Sequence, residues 1–273
     1  MELNRDKIIA VVVWFNPSST EVDAISLYNS DVRRVVVVDN SSHDNSSLLT
    51  SIPNADYLPL LENRGIAEAL NIGCKRAAEL GAAWILTMDQ DSRWDIHSIP
   101  QYLEEITQYP EFDKVGVFSP YHDCDGTPER HHHNGRFEQK QIVMCSGNLL
   151  RTEAWHKAGG FRNDFFIDSV DDEICCHIRQ LGYQVVCAHH VLLNHHLGDA
   201  LLRTRILRHQ YIPHQPWRYF YIGRNMHRML RLYPDMQGYY RKSMRKYIKR
   251  LLLYDNDRKF QKLSNLLRGW FTK

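Results

Sequence analysis

The sequence predicts an α/β fold, a sheet flanked by helices, followed by a basic helical extension. Two continuous β-branched runs, Ile8 to Phe15 and Val35 to Val38, are separated by a helix-length segment, as in a βαβ unit whose strands are buried on both faces. Each run ends in a polar exit, Asn16-Pro17-Ser18-Ser19-Thr20 and Asp39-Asn40-Ser41-Ser42, and a third run, Trp84 to Met88, ends in Asp89-Gln90-Asp91-Ser92. The charge then changes sign. Met1 to Asp199 holds 16 Lys and Arg against 29 Asp and Glu, whereas Ala200 to Lys273 holds 18 against 3.

The chain has 273 residues, 43% hydrophobic and 24% charged, an ordinary globular composition. The charge shift divides it into a domain over residues 1–199 and a basic, aromatic-rich helical segment over 200–273. No apolar run approaches the ~18 residues that span a bilayer, and no apolar stretch follows a basic start, so a cytoplasmic protein is expected. Six cysteines without a C-x-x-C spacing read as reduced, mostly buried side chains.

In an extended backbone Asp89 and Asp91 point the same way. Two such carboxylates at a strand's carboxyl end suit Mg²⁺ or Mn²⁺, a hard cation that keeps positions open for phosphate oxygens; a plain polar strand exit is the alternative. In parallel sheets ligands bind beyond the carboxyl ends of the strands, so Asn16, Asp39 and Asp89 could share one crevice.

Leu58 to Leu61 is a short strand candidate. A helix follows through about Leu80, with Ile66, Leu70, Gly73, Ala77 and Leu80 on one face. Its small residues Gly65, Ala67, Ala69 and Gly73 admit either a nucleotide or a closely packed sheet. Ile96 to Tyr109 reads as a helix, and Lys114 to Pro120 and Ile142 to Leu150 as strands, the latter breaking at Ser146-Gly147. Gly147 allows a substrate to approach the backbone, or forms a bulge. His131-His132-His133 sits in a polar loop, and adjacent side chains diverge, which favours a solvated or acceptor-side loop over a metal site.

Ile174, Ile178 and Leu181 mark a helix that stops at Gly182. Asp168, Asp171, Asp172 and Glu173 crowd its start. Attraction to the helix dipole accounts for one or two of them, and four suggest that one abstracts a proton. Gln184 to Ala188 is a last strand, running towards His195-His196, which could complete a metal shell or cap a loop.

In the tail, Pro216 to Met226 is an aromatic and arginine cluster leading into a helix. Tyr240, Met244, Tyr247, Ile248 and Leu251 then form one helical face, and Arg241, Lys242, Arg245, Lys246, Lys249 and Arg250 the other. That pattern fits an interfacial membrane helix or a helix docked on its own domain. Nucleic acid is disfavoured, because no helix-turn-helix, zinc-finger or RNP pattern accompanies the charge.

Taken together, these stretches resemble the inverting family 2 glycosyltransferases, closest to the bacterial rhamnosyltransferase group. The resemblance runs from Ile8 to about Leu230. It rests on Leu86 to Ser92, Asn63 to Asn71, Asp168 to Glu173, His195 to Asp199 and Arg218 to Asn225. It implies the GT-A nucleotide-sugar-binding fold, a Rossmann-like mixed sheet flanked by helices. It further implies Asn16 and Asp39 on the donor's pyrimidine and ribose, and Asn63, Gly65 and Asn71 near the nucleotide or diphosphate. Asp91 would ligate the metal, Asp89 would lie beside it on ribose or metal, and His195 and Arg224 would face the diphosphate or sugar. Asp171 matches the family's catalytic base. Many relatives carry a Glu-Asp pair where Val170 precedes Asp171 here, which leaves Asp172 and Glu173 as alternatives.

The implied activity is metal-dependent transfer of L-rhamnose from dTDP-L-rhamnose to a saccharide or lipid-linked saccharide in cell-surface polysaccharide synthesis. The basic tail would provide peripheral contact with the inner face of the plasma membrane. A non-catalytic nucleotide-sugar-binding scaffold of the same fold is the alternative, and retention of Asp89, Asp91 and Asp171 argues against it. Nucleotidyl transfer would favour a Gly- and Lys-bearing loop after the first strand, and residues 16–20 contain neither.

Overall fold

A computed structural model describes residues 3–95, 98–124, 135–195, 202–203, 210–211 and 213–272. The first β-branched run forms β1, Ile8–Trp14, and the second forms β2, Arg34–Asp39. All of β1 is buried. Ile9, Val11 and Val13 enter one hydrophobic cluster, while Ile8, Ala10, Val12 and Trp14 enter another on the opposite face of the sheet. Between the strands, α1 (Ser19–Ser26) starts with a capping box, in which Ser18 Oγ accepts from the helix and Glu21 accepts from the Ser18 N–H.

The third strand, β3 (Ala55–Pro59), begins before the apolar run Leu58 to Leu61, because its parallel register with β2 runs from Val35–Ala55 to Asp39–Pro59. It is an edge strand, so Asp56 is tolerated and accepts from Arg76 Nε at 2.7 Å. Arg76 lies on α2, Ile66–Glu79, which crosses β1 and β2. A Cβ on Gly73 would come within 2.3 Å of Val11 Cγ1 and 2.9 Å of Val38 Cγ2, so this small residue serves helix–sheet packing.

The fourth strand, β4 (Trp84–Asp89), pairs parallel to β1. After α3 (Ser98–Thr107) come β5 (Val115–Cys124), β6 (Phe137–Gln139), β7 (Asn148–Arg151), α4 (Thr152–Lys157), α5 (Val170–Gln180) and β8 (Gln184–His195). The sheet order is β3-β2-β1-β4-β7-β5-β8-β6, with β7 antiparallel to both neighbours, so the sheet is mixed. The strand expected from Ile142 begins only at Asn148. The preceding residues are drawn instead onto β4, where Thr87 Oγ1 donates to the Cys145 carbonyl and the Gly147 N–H to the Thr87 carbonyl, both at 2.7 Å. The carboxyl ends of β1, β2 and β4 lie along one rim, which carries Asn16, Asp39 and Asp89.

The tail forms α6 (Pro216–Leu232), α7 (Gln237–Leu253) and α8 (Lys259–Phe271), the last not expected from the sequence. Tyr219, Ile222, Met226, Tyr240, Met244 and Leu251 bury in the same cluster as Val11 and Ile174. The change of charge near residue 200 is therefore a change of surface within a continuous core. Of the two readings of the tail's amphipathic helix, docking on the chain's own core accounts for its apolar face, while Arg241, Lys242, Arg245, Lys246 and Lys249 are exposed. The α8 backbone meets α6 directly. Cβ atoms on Gly223 and Gly269 would lie 2.1 Å from the Leu266 carbonyl oxygen and 2.0 Å from that of Phe220. Among the described residues no helix is long and apolar enough to cross a membrane, and Cys74, Cys145, Cys175, Cys176 and Cys187 are free thiols.

Candidate active site

Asp89 ends β4 with its N–H donating to Ser146 Oγ at 3.1 Å. Burial pushes its carboxyl up to about 7, and the charges of Asp91 and Asp171 push in the same direction. The carboxylates of Asp89, at the end of the fourth strand, and Asp171, at the start of the fifth helix, are therefore close enough to repel one another. Gln90 turns back and accepts from the Phe15 N–H at 2.6 Å, which brings the loop after β1 to the same rim. There Asn16 is exposed, in a left-handed conformation (φ 49°), with its N–H donating to Ser41 Oγ at 2.8 Å.

The loop into α5 is strained. Phe166, Asp168 and Ser169 have φ of 58°, 67° and 57°, at a cost of about 1–3 kcal/mol each. Residues of α6 hold it there. Asn225, fully buried, brings Nδ2 within 2.8 Å of the carbonyls of Phe165, Ile167 and Asp168. Arg218 donates twice to the Asp168 carboxylate, both at 2.9 Å, and Arg228 donates to the Asp164 carbonyl at 2.7 Å.

The three carboxylates in the first turn of α5 then separate by partner. Asp172 accepts from the Tyr240 hydroxyl at 2.8 Å, and buried Glu173 from the Tyr233 hydroxyl at 2.6 Å. Asp171 accepts from the Asp172 N–H at 3.0 Å and lies close enough to Asp89 to raise its carboxyl. Burial raises the Asp171 carboxyl, opposed by backbone N–H groups of Asp172, Asp171 and Cys145. Burial and the Asp171 charge lift Asp172 to about 7, and burial also raises Glu173.

Several other expected residues are engaged internally. Asp39 is fully buried and accepts from the Ser41 N–H, Asn45 Nδ2 and the Tyr57 hydroxyl at 3.0, 2.7 and 2.6 Å. Burial works to raise its carboxyl, but these donors outweigh it and hold the group below its ordinary range. Asn63 Oδ1 accepts from Asn40 Nδ2 and from the Gly65 N–H, pinning the loop before α2 to the end of β2. Gly65 (φ 84°) lies against Phe166, whose Cδ2 would be 2.5 Å from an added Cβ.

Asn71 clamps the loop before α5, with Nδ2 donating to the Phe161 carbonyl at 2.6 Å and Oδ1 accepting from the Phe161 N–H at 2.8 Å. Arg224 Nη2 donates to the Asp164 carbonyl at 2.6 Å, and burial lowers the pKa of its guanidinium. Gly147 packs against Leu193 and Pro120. The His195 backbone ends β8 beside Asn194, which pairs with Arg93 just past Asp91. The His195 side chain, His196 to Asp199, and His131 to His133 lie outside the described residues.

The sequence assigned no site role to Arg218, Asn225, Tyr233 or Tyr240, placing Tyr240 only on the apolar face of a tail helix. Arg218 and Asn225 sit within a stretch that resembles the rhamnosyltransferase group. Their partners, however, lie about fifty to sixty positions earlier, a separation no local pattern encodes.

Residues 22–167 match the model of glycosyl transferase family 2. The chain belongs to that family. The matched stretch holds Asp39, Asn63, Gly65, Asn71, Asp89 and Asp91, while Asn16, Asp171, His195 and Arg224 lie outside it. Among similar proteins, dTDP-rhamnosyl transferase RfbF of Shigella flexneri is 29% identical over 246 residues, covering 83% of this chain and 81% of that protein. Among solved structures, GalNAc-T7 with UDP, GalNAc and Mn²⁺ aligns with a TM-score of 0.57 and 12% identity over 82% of this chain. The chain spans about half of it, 51%. The fold is of the GT-A type, and the family's chemistry is glycosyl transfer.

The acidic rim fits a divalent cation. Asp89, half-buried with two like charges nearby, is unfavourable in its ionised form unless a positive charge accompanies it. Among the described residues no three His, Cys, Asp or Glu side chains converge as a complete metal cage.

Proposed function

We propose that this protein transfers L-rhamnose from dTDP-L-rhamnose, with inversion, to a saccharide or lipid-linked saccharide in cell-surface polysaccharide synthesis. The reading is supported by Asp172 and Glu173 being engaged by tyrosine hydroxyls while Asp171 is not, and by Asp91 and Asp171 lying close enough to raise the Asp89 carboxyl. Likeness to a dTDP-rhamnosyl transferase supports the donor.

In this reading Asp171 takes the proton of an acceptor hydroxyl as its oxygen bonds to the anomeric carbon. The anomeric carbon–phosphate oxygen bond breaks, and the nucleoside diphosphate leaves with the electron pair. A divalent cation held by Asp91 and Asp89 supplies charge neutralisation on the diphosphate when bound. Asn16 remains the rim residue suited to the nucleoside, and the Asp39, Asn63 and Gly65 network shapes the floor beneath it. His195, by its position at the end of β8, is assigned to the diphosphate side. Arg224 supports the α5 loop.

The tail would provide peripheral membrane contact. Leu252 (47% exposed) and Leu253 (62%) share the solvent side of α7 with Lys242, Arg245, Lys246 and Lys249, while Phe260 (74%) and Phe271 (77%) project from α8.

The test is a thermal-shift screen of nucleotide sugars with and without Mg²⁺ or Mn²⁺. Selective stabilisation by dTDP-L-rhamnose that requires the cation is expected. Equal response to every nucleotide sugar would remove the donor assignment.

A further inference from the structure

Glu173, His177 and Gln180 fall at positions i, i+4 and i+7 of α5 and so form one stripe of that helix. Asp171 lies two residues before Glu173, about 200° around the helix axis, on the other side. The stripe borders a cavity of 350 Å³. Its other walls are the left-handed turn Gly159-Gly160 after α4, Phe161, and Leu232 and Tyr233 where α6 ends. Gln180 and Leu232 are exposed and mark the mouth, whereas Glu173, 1% exposed, lies at the floor.

The floor carries an unanswered acceptor. Glu173 Oε1 takes the Tyr233 hydroxyl at 2.6 Å, but Oε2 is buried and has no hydrogen-bond donor. A buried acceptor without a donor is costly, so the position favours a ligand that brings one. Arg162 borders the cavity without filling that need, since its Nε and Nη2 donate to Asp164 at 3.1 and 3.0 Å. The Asp164 charge also acts on Glu173 against that of Arg162. Burial and the Arg162 charge lower the pKa of His177, so its imidazole adds no competing positive charge.

The rest of the lining is apolar, with Ala158, Phe161 and Leu232. A ligand matched to both surfaces has a cationic donor at one end and a short hydrocarbon body. A metal ion fits less well. Of the lining residues only Glu173 and His177 could ligate one, and among the described residues no three His, Cys, Asp or Glu side chains converge.

We propose that this cavity is a second ligand site, which takes a small aliphatic primary amine with its ammonium on Glu173 Oε2 and its chain along Phe161 and Leu232. The site does not depend on the glycosyl-transfer reading, because no residue given there to the donor, the cation or the base lines it.

The experiment titrates the full chain with n-butylammonium chloride, 1-butanol and sodium butyrate, reading backbone amide shifts by NMR. Butylammonium should shift the Gly159 and Gly160 amides saturably and bind at least about tenfold more tightly than the alcohol or the carboxylate. Glu173→Gln keeps the shape and an acceptor for Tyr233 but removes the charge, and it should weaken the amine about tenfold or more. His177→Lys, at a half-buried position, tethers an ammonium one helical turn from Glu173 and should abolish the response. If one variant fails to fold, the other decides. Butylammonium binding no tighter than butanol, Gly159 and Gly160 amides that do not move, or native affinity in the folded variants would overturn the site.

Discussion

The Tyr240 hydroxyl donates to Asp172 Oδ2 at 2.8 Å, across 68 positions of sequence. Tyr233 does the same for Glu173 at 2.6 Å across 60 positions. Adjacent acidic residues that look interchangeable along the chain are thereby given different tasks. Two anchor tail helices, and Asp171 is left towards the acidic rim.

Asp171→Asn should cut kcat by roughly 10²–10⁴ with donor affinity nearly unchanged, whereas Asp172→Asn should cost far less. Because burial raises the Asp171 carboxyl, activity should fall as pH drops through a value above the ordinary carboxylate range. Steady-state kinetics of the two variants across pH checks both statements. A larger loss in Asp172→Asn would move the base.

Burial, with the charges of Asp91 and Asp171, pushes the Asp89 carboxyl up to about 7 from an ordinary value of 3.8. Between those values the native state holds more protons than the unfolded chain, so stability contributed by this group falls as pH rises through the window. Without divalent cation, Tm should therefore decline from about pH 5 to about pH 8. Millimolar Mn²⁺ should recover more at the higher pH, and Asp89→Asn should flatten both trends. Thermal melts with Mn²⁺ or EDTA measure this, and a Tm indifferent to the cation at either pH would count against the metal site.

Asn225→Leu should destabilise the protein by about 2–3 kcal/mol, since buried carbonyls of the α5 loop lose their donor. The strained residues Phe166, Asp168 and Ser169 would then relax, and kcat should fall more than donor affinity. Urea melts and calorimetry separate the two effects.

Vesicles containing anionic lipid should sediment the protein at low salt and release it as salt screens the basic face. Leu253→Glu with Phe260→Glu should abolish sedimentation while leaving the fold intact, because both side chains are exposed (62% and 74%). Equal recovery on neutral vesicles would contradict the electrostatic part of this contact.

Much of the architecture is written locally. The β-branched run at Ile8 needs no partner information to be recognised as a strand covered on both faces. Likewise Asp89 following an apolar run marks a strand end, but Gln90 and Asp91 turn there instead of continuing the extended backbone from which two same-side carboxylates were expected. Boundaries were less legible where a tertiary contact decided them. The segment before β7 gave up strand geometry because Thr87 captured the Cys145 carbonyl, and β3 began early because an edge strand accepts Asp56.

The sequence by itself determined the α/β class, the acidic strand end and the acidic helix start, because these follow from periodicity and neighbouring residues. Only the tertiary structure decided which carboxylate is left without a tyrosine partner, that Asn71 and Arg224 brace a loop, and that the basic tail completes the core. The physical reason is that hydrogen bonds and burial at those positions join residues tens of positions apart. Their energies depend on a shared environment that exists only once the sheet and the tail helices have packed together.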